Sequence, residues 1–136
     1  MAGKKKILVV EDHSEIRRLL VFFLKQMGYD AIEAATGMAG LAQASTTLPD
    51  LITMDLGLPD IRGVEVTARL KADPATKHIP VIVITAYYGD EQLLESVVAA
   101  GACEVLYKPV SLRVLEDSLR RYLAAESHEE PLQQSN

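Results

Sequence analysis

The stretch ILVVED at residues 7–12 joins four apolar residues to two acids, and this combination returns in related form further along the chain. Residues 51–55 are LITMD, and residues 81–85 are VIVIT. These apolar runs lack the alternation of a half-exposed strand, so they predict strands that are covered on both faces. Because each run gives way to a polar side chain, the pattern also predicts buried strands with polar carboxyl ends.

Two further runs complete a set of five predicted strands. Residues 29–34 alternate in character, which is typical of an edge strand, and residues 104–107 form the last run. Helical spacing of apolar residues between the runs predicts five helices, with Ser14, Asp90 and Ser111 as N-caps. Because strands and helices alternate, we expect an α/β fold in which helices cover both faces of a parallel sheet.

Length and composition bound the number of domains and the class of partner. The chain has 136 residues, a net charge of −5 and one cysteine. It therefore predicts a single domain that binds neither nucleic acid nor an anionic membrane directly. No apolar run reaches the ~20 residues of a membrane span, and none resembles a signal-peptide core, which indicates a soluble cytoplasmic protein. We expect a flexible N-terminus at 1–4, one domain at 5–123 and a disordered polar tail at 124–136.

Polar side chains gather where the predicted strands end. They are Glu11, Asp12, Asp55, Thr85 and Lys108. In an open parallel sheet, ligands bind beyond the carboxyl ends of the strands. Clustered carboxylates repel one another, and oxygen ligands without cysteine favour Mg²⁺ as the neutralising ion. A carboxylate, a hydroxyl, an amine and a divalent cation are also the groups that phosphoryl transfer to a side chain requires.

Four segments at these strand ends carry a family resemblance. The acidic pair at residues 11–12, the segment DLGLPDIRG at 55–63, Thr85-Ala86 and Lys108-Pro109 together resemble the receiver domain of bacterial response regulators in two-component signalling. The resemblance covers about residues 5–123. It implies a flavodoxin-like (βα)5 three-layer sandwich with the strand order 2-1-3-4-5. It also implies a cis peptide bond at the Lys-Pro step.

The same resemblance implies a role for each acid. Asp55 would be the phosphoacceptor, which takes a phosphoryl group from a phosphohistidine on a sensor histidine kinase or phosphotransfer protein. Asp12, Asp55 and the backbone carbonyl of Gly57 would bind Mg²⁺ directly, whereas Glu11 would reach it through water. His13 follows the acidic pair and could touch the metal, but Mg²⁺ disfavours imidazole, so we favour its interpretation as a loop residue.

The resemblance also implies a conformational response. Thr85 and Lys108 would bind the phosphoryl oxygens, and phosphorylation would draw Thr85 inward and change the surface formed by the fourth helix, fifth strand and fifth helix. Receivers usually carry an aromatic switch residue three positions before the lysine, where this chain has Val105. Tyr107 lies two residues further on and therefore faces the same side of the strand.

Function is thus expected to be that of a phosphorylation-activated receiver, an enzyme only in catalysing its own phosphoryl transfer and hydrolysis. Output would come from docking an unknown protein target, from a relay or from the remainder of a longer chain, without a DNA-binding module in this sequence, and a phosphorylation-dependent dimer is compatible with the resemblance. One alternative is a metal-dependent phosphohydrolase with an aspartyl-phosphate intermediate, although Gly57 stands where such enzymes commonly carry a second acid. Another is a receiver-like binding module that never takes phosphate.

Overall fold

The structure, a computed structural model, describes residues 3–86 and 89–127, and for residues 124–127 it describes the backbone only. Strands and helices alternate along these residues. The strands are β1 (Lys6–Val10), β2 (Asp30–Ala34), β3 (Leu51–Met54), β4 (Val81–Thr85) and β5 (Glu104–Tyr107). The helices are α1 (Ser14–Gln26), α2 (Gly37–Thr47), α3 (Gly63–Ala72), α4 (Glu91–Ala100) and α5 (Leu112–Ser127).

The strands form one parallel sheet in the order β2-β1-β3-β4-β5, as the family resemblance implies. The three central strands are almost entirely buried, whereas β2 and β5 are more exposed. This difference confirms the prediction that unbroken apolar runs mark central strands and that residues 29–34 mark an edge. The order also makes β1 and β3 neighbours, which places their carboxyl ends side by side.

Two apolar clusters cover the two faces of the sheet and make the fold three layers deep. Because successive side chains on a strand point to opposite faces, Leu8 and Val10 enter one cluster and Ile7 and Val9 enter the other. The first cluster packs the sheet against α2, α3 and α4, and the second packs it against α1 and α5. The predicted flavodoxin-like sandwich is therefore confirmed.

Two of the three predicted N-caps are confirmed. The side chains of Asp90 and Ser111 each accept a hydrogen bond of 3.0 Å from the backbone amide three residues later. The prediction for Ser14 is wrong, because α1 already begins at Ser14 and His13 occupies the N-cap position. The physical reason is that Glu11 accepts a hydrogen bond of 3.1 Å from the backbone amide of His13, which turns the chain into the helix one residue earlier.

The predicted domain boundary at residue 123 falls inside α5, which continues to Ser127. Ala124, Ala125 and Glu126 are residue types with high helix propensity, so the helix continues past the last predicted core position. The rest of the predicted tail, at 128–136, lies outside the described residues, as do residues 1–2 and 87–88. Within the described ranges, no helix is both long and apolar enough to cross a bilayer.

Candidate functional site

Carboxylates from two neighbouring strands meet at one edge of the sheet. The backbone amide of Asp55 donates to the carbonyl of Val10 (3.0 Å), and that of Glu11 donates to the carbonyl of Ala34 (3.0 Å), so the ladder continues just past the strand ends. Glu11 is 2% exposed and Asp55 is 7% exposed. Both carboxyl groups are therefore held in a largely water-excluded cleft, with Asp12 half-buried beside them.

Lys108 enters this cleft from the loop after β5. Its Nζ atom lies 2.8 Å from Glu11 Oε1 and 3.2 Å from Asp55 Oδ1. Its backbone amide donates to the carbonyl of Thr85 (2.8 Å), and the Lys108-Pro109 peptide bond is cis, as the resemblance implies. The structure thus brings one amine into direct contact with two of the three predicted acids, Glu11 at a separation of 97 residues and Asp55 at 53.

The electrostatics of the cleft favour added positive charge. Burial raises the pKa of Asp55, the neighbouring Glu11 and Asp12 raise it further, and Lys108 only partly opposes them. Burial lowers the pKa of Lys108, but its hydrogen bond to Glu11 and its attraction to Asp55 outweigh that effect, so the pKa is raised overall. One ammonium group therefore does not compensate the negative charge of the cleft.

The donor atoms fit a divalent cation. Asp12 Oδ1 is buried and has no hydrogen-bond partner among the described residues. One ligand atom each from Glu11, Asp12 and His13 all lie within 4.8 Å of one another, whereas Asp55 joins this group through Lys108. Buried carboxylate oxygens that lack a partner are suited to hard divalent ions. Gly57 is exposed in the loop after β3, and the role of its carbonyl stays a prediction.

His13 lies in the cluster, which agrees with the less favoured of its two interpretations from the sequence. Its Nδ1 atom lies 3.3 Å from Glu11 Oε2 and 3.4 Å from Asp12 Oδ1. The sequence carried one signal of this placement, which is the position of His13 directly after the acidic pair.

Gly63 closes the loop that follows Asp55, and sequence reasoning did not identify why a glycine stands there. Its amide donates to the carbonyl of Leu56 (3.1 Å). A Cβ atom at this position would lie 2.1 Å from the carbonyl oxygen of Asp55 and 2.9 Å from the Cα atom of Leu56. Only a residue without a side chain allows α3 to begin so close to the phosphoacceptor candidate.

Asp60 connects the same loop to the N-terminus of α2 by hydrogen bonds, a role that sequence reasoning also missed. Its two carboxylate oxygens accept hydrogen bonds from the backbone amides of Gly37 (2.7 Å) and Met38 (2.8 Å). The bond from Met38 and the other backbone amides hold the pKa of Asp60 below its usual range. A carboxylate at a helix N-terminus is also favoured by the helix dipole.

The end of β4 supplies the remaining predicted site residue. Thr85 is buried, and Tyr107 stands opposite it in the register of β4 and β5. Val105, at the usual position of the aromatic switch, pairs instead with Val83. The aromatic side chain nearest to Thr85 in the register is thus supplied by the residue directly before the lysine.

Comparison with known proteins agrees with the family resemblance seen in the sequence. Residues 7–120 match the family model described as the response regulator receiver domain. The polar-differentiation response regulator DivK of Brucella ovis is 36% identical over 122 residues, which cover 88% of this chain and 96% of that protein.

Solved structures of similar proteins share the fold. A CheY-like receiver domain protein from Methanospirillum hungatei is 28% identical, with a TM-score of 0.85 over 92% of this chain and 98% of that one. The receiver domain of a sensor histidine kinase from Pseudomonas aeruginosa PAO1 is 30% identical, with a TM-score of 0.81 over 90% of this chain and 99% of that one. That structure has a magnesium ion coordinated in its active-site cleft.

Proposed function

The chain belongs to the response regulator receiver domain family of two-component systems, and from this premise we propose that Asp55 accepts a phosphoryl group from a phosphohistidine on a histidine kinase or phosphotransfer protein. The observation that carries the proposal is the contact of 3.2 Å between Lys108 Nζ and the buried carboxyl group of Asp55. This contact places a fixed positive charge where a phosphoryl group on Asp55 would need it.

Mg²⁺ is the cation that the proposal assigns to the cleft, with Asp12, Asp55 and the carbonyl of Gly57 as direct ligands. Asp12 supports this assignment because its buried Oδ1 atom lacks a hydrogen bond among the described residues. Glu11 is better suited to an indirect role, because its two oxygens already accept from Lys108 Nζ and from the backbone amide of His13. When bound, Mg²⁺ would neutralise charge on the acids and on the phosphoryl oxygens.

The protein's own residues would then perform the transfer. A carboxylate oxygen of Asp55 attacks the phosphorus atom, the new O–P bond forms as the P–N bond of the phosphohistidine breaks, and the imidazole leaves with the electron pair and takes up a proton. Lys108 stabilises the charge on the transferred oxygens, and the Thr85 hydroxyl donates a hydrogen bond to one of them. Attack by water on the phosphorus atom later breaks the O–P bond to Asp55, which releases inorganic phosphate and returns the free carboxylate.

Phosphorylation would change the surface formed by α4, β5 and α5. It replaces the single charge of Asp55 by a larger one and adds acceptor oxygens. Thr85 would move toward them, and because Tyr107 is its register neighbour, the movement would reach β5 and the adjoining faces of α4 and α5. We assign this surface to a downstream protein target.

Phosphorylation by a small donor tests the acceptor directly. The full chain is incubated with acetyl phosphate and Mg²⁺, and intact-mass spectrometry is expected to show one added phosphoryl group. The adduct should disappear in Asp55→Asn and on chelation of Mg²⁺. Asp117→Asn, an equivalent change at an exposed position of α5, should keep it. An unchanged adduct on Asp55→Asn would overturn the assignment.

A further inference from the structure

We propose that His13 is an additional metal donor of the acidic cleft, which makes the cleft select later first-row divalent cations, such as Co²⁺, Ni²⁺ or Zn²⁺, more strongly than oxygen ligands alone would. The inference rests on the proposed function, since it concerns the cation site next to Asp55. It adds a nitrogen ligand to a site otherwise assigned to oxygen atoms.

The position of the His13 ring supports direct coordination. Its Nδ1 atom lies 3.3 Å from Glu11 Oε2 and 3.4 Å from Asp12 Oδ1. Adjacent ligands of one octahedral ion with bonds near 2.1 Å are separated by about 3 Å. His13 Nδ1 and Asp12 Oδ1 therefore have nearly the spacing that two neighbouring ligands of a single ion require, whereas Glu11, whose oxygens lie within hydrogen-bonding distance of Lys108 and His13, keeps its indirect role.

A second observation points to a cation between these groups. Asp12 Oδ1 is buried without a hydrogen-bond partner among the described residues, and Nδ1 of His13 lies 3.4 Å from it. A buried carboxylate oxygen without a partner is rare because its desolvation is costly. A metal ion shared by the carboxylate and the imidazole would satisfy both.

The backbone holds His13 in this place. Its amide donates to Glu11 Oε2 (3.1 Å), and its carbonyl accepts from the amide of Arg17 (2.9 Å) in the first turn of α1. The guanidinium group of Arg17 also donates to the carbonyl of Glu11 (2.8 Å). The side chain of His13 is 68% exposed, so an ion from solvent reaches its ring without any opening of the cleft.

The chemistry of the nitrogen ligand predicts selectivity. Mg²⁺ prefers oxygen ligands and gains little from imidazole, whereas Co²⁺, Ni²⁺ and Zn²⁺ bind imidazole well and rise in affinity along the Irving–Williams series. Loss of the ring should therefore weaken the binding of these ions and leave that of Mg²⁺ nearly unchanged.

The test uses Co²⁺ alone as the probe, on the full chain. In the parent, proton NMR of the Co²⁺-loaded protein is expected to show the strongly shifted, exchangeable N–H resonance of a coordinated imidazole. In His13→Asn this resonance should vanish, and calorimetry should show Co²⁺ affinity falling about tenfold while Mg²⁺ affinity holds. Asn is a favoured N-cap residue, so α1 should remain intact. His78→Asn, at an exposed site, should behave as the parent.

Three results would overturn the inference: no shifted imidazole resonance in the parent, its persistence in His13→Asn, or an equal fall in Co²⁺ and Mg²⁺ affinity. An equal fall would mean that His13 only orients the acids. Failure of the proposed function is distinguishable, because it would appear as an absent phosphoryl adduct in the Mg²⁺ experiment, whatever the Co²⁺ spectrum shows.

Discussion

Asp55 and Asp60 belong to the same loop after β3, yet their surroundings act on them in opposite ways. Asp55 is buried beside Glu11, and burial together with that negative neighbour raises its pKa. Asp60 accepts hydrogen bonds from the first two amides of α2, and those bonds lower its pKa. One acid is therefore destabilised as a carboxylate, and the other is stabilised as a carboxylate and holds the loop to α2.

The largest expected effect comes from adding a side-chain atom at Gly63, where the start of α3 packs against the backbone of Asp55. In Gly63→Ala, the new Cβ atom would lie 2.1 Å from the carbonyl oxygen of Asp55, so the start of α3 and the loop must separate. We expect the free energy of unfolding to fall by about 3 kcal/mol. Urea denaturation measures this, and Gly3→Ala, where nothing lies within 4 Å of the added atom, should be neutral. Parent-like stability of Gly63→Ala would show that the loop can yield.

The next effect tests how much the ionised carboxylate of Asp55 destabilises the folded protein. In metal-free buffer at neutral pH, Asp55→Asn should raise the free energy of unfolding by about 1 kcal/mol, because it removes a negative charge that burial and Glu11 disfavour. Since the folded pKa of Asp55 is raised, the penalty is absent below its usual value of 3.8 and develops as the pH rises through the folded pKa. The extra stability of Asp55→Asn should therefore be absent in acid and appear over the same pH range.

Chelator and Mg²⁺ provide the control for that measurement. Denaturation midpoints of the parent should rise when Mg²⁺ is added, and those of Asp55→Asn should rise less, because the variant lacks one ligand charge. A variant that is less stable than the parent in chelator at neutral pH would contradict the cost assigned to Asp55.

A smaller effect of opposite sign is expected at Asp60. In Asp60→Asn, the amide group can accept only one of the two hydrogen bonds from α2, so the free energy of unfolding should fall at neutral pH. Because the folded pKa of Asp60 is lowered, its stabilisation is present above the usual value of 3.8 and is lost as the pH falls through the folded pKa. The deficit of the variant should therefore shrink in acid. Asp117→Asn is the matched control, and a deficit independent of pH would disprove the electrostatic origin.

The smallest effect concerns the conformational response to phosphorylation of Asp55, a response in which Asp60 has no part. Tyr107→Leu should leave phosphorylation by acetyl phosphate unchanged but reduce the amide chemical-shift changes that phosphorylation causes in α4, because it removes the register neighbour of Thr85. NMR of the phosphorylated parent and variant measures the difference. Tyr29→Leu, beside the distant strand β2, should keep the full response, and an equal response in Tyr107→Leu would exclude Tyr107 as the coupling residue.

Most of the fold could be predicted from local pattern. Runs without alternation of apolar and polar residues at 7–10, 51–54 and 81–84 identified the central strands, because a strand covered on both faces has no solvent-facing side that needs polar residues. The polar residues after those runs identified the candidate site, since parallel strands end at one edge. The predicted start of α1, with Ser14 as the N-cap, was one residue too late. The side chain of Glu11, which also faces the acidic cleft, accepts a hydrogen bond from the amide of His13 and starts the helix at Ser14.

Local pattern in the sequence predicted the strands, the layers and the gathering of Glu11, Asp12, Asp55 and Lys108 at one edge, because strand periodicity and parallel connection repeat along the chain. The strand order that makes β1 and β3 neighbours was predicted from the family resemblance. The roles of Gly63 and Asp60 became visible only in the tertiary structure. Each depends on one close approach between separate segments: a backbone oxygen at a missing Cβ, and two amides of α2 at a carboxylate. His13 is different, because it is the sequence neighbour of Asp12 and only the direction of its ring needed the structure. Distances of this kind exist only after the helices have packed against the sheet.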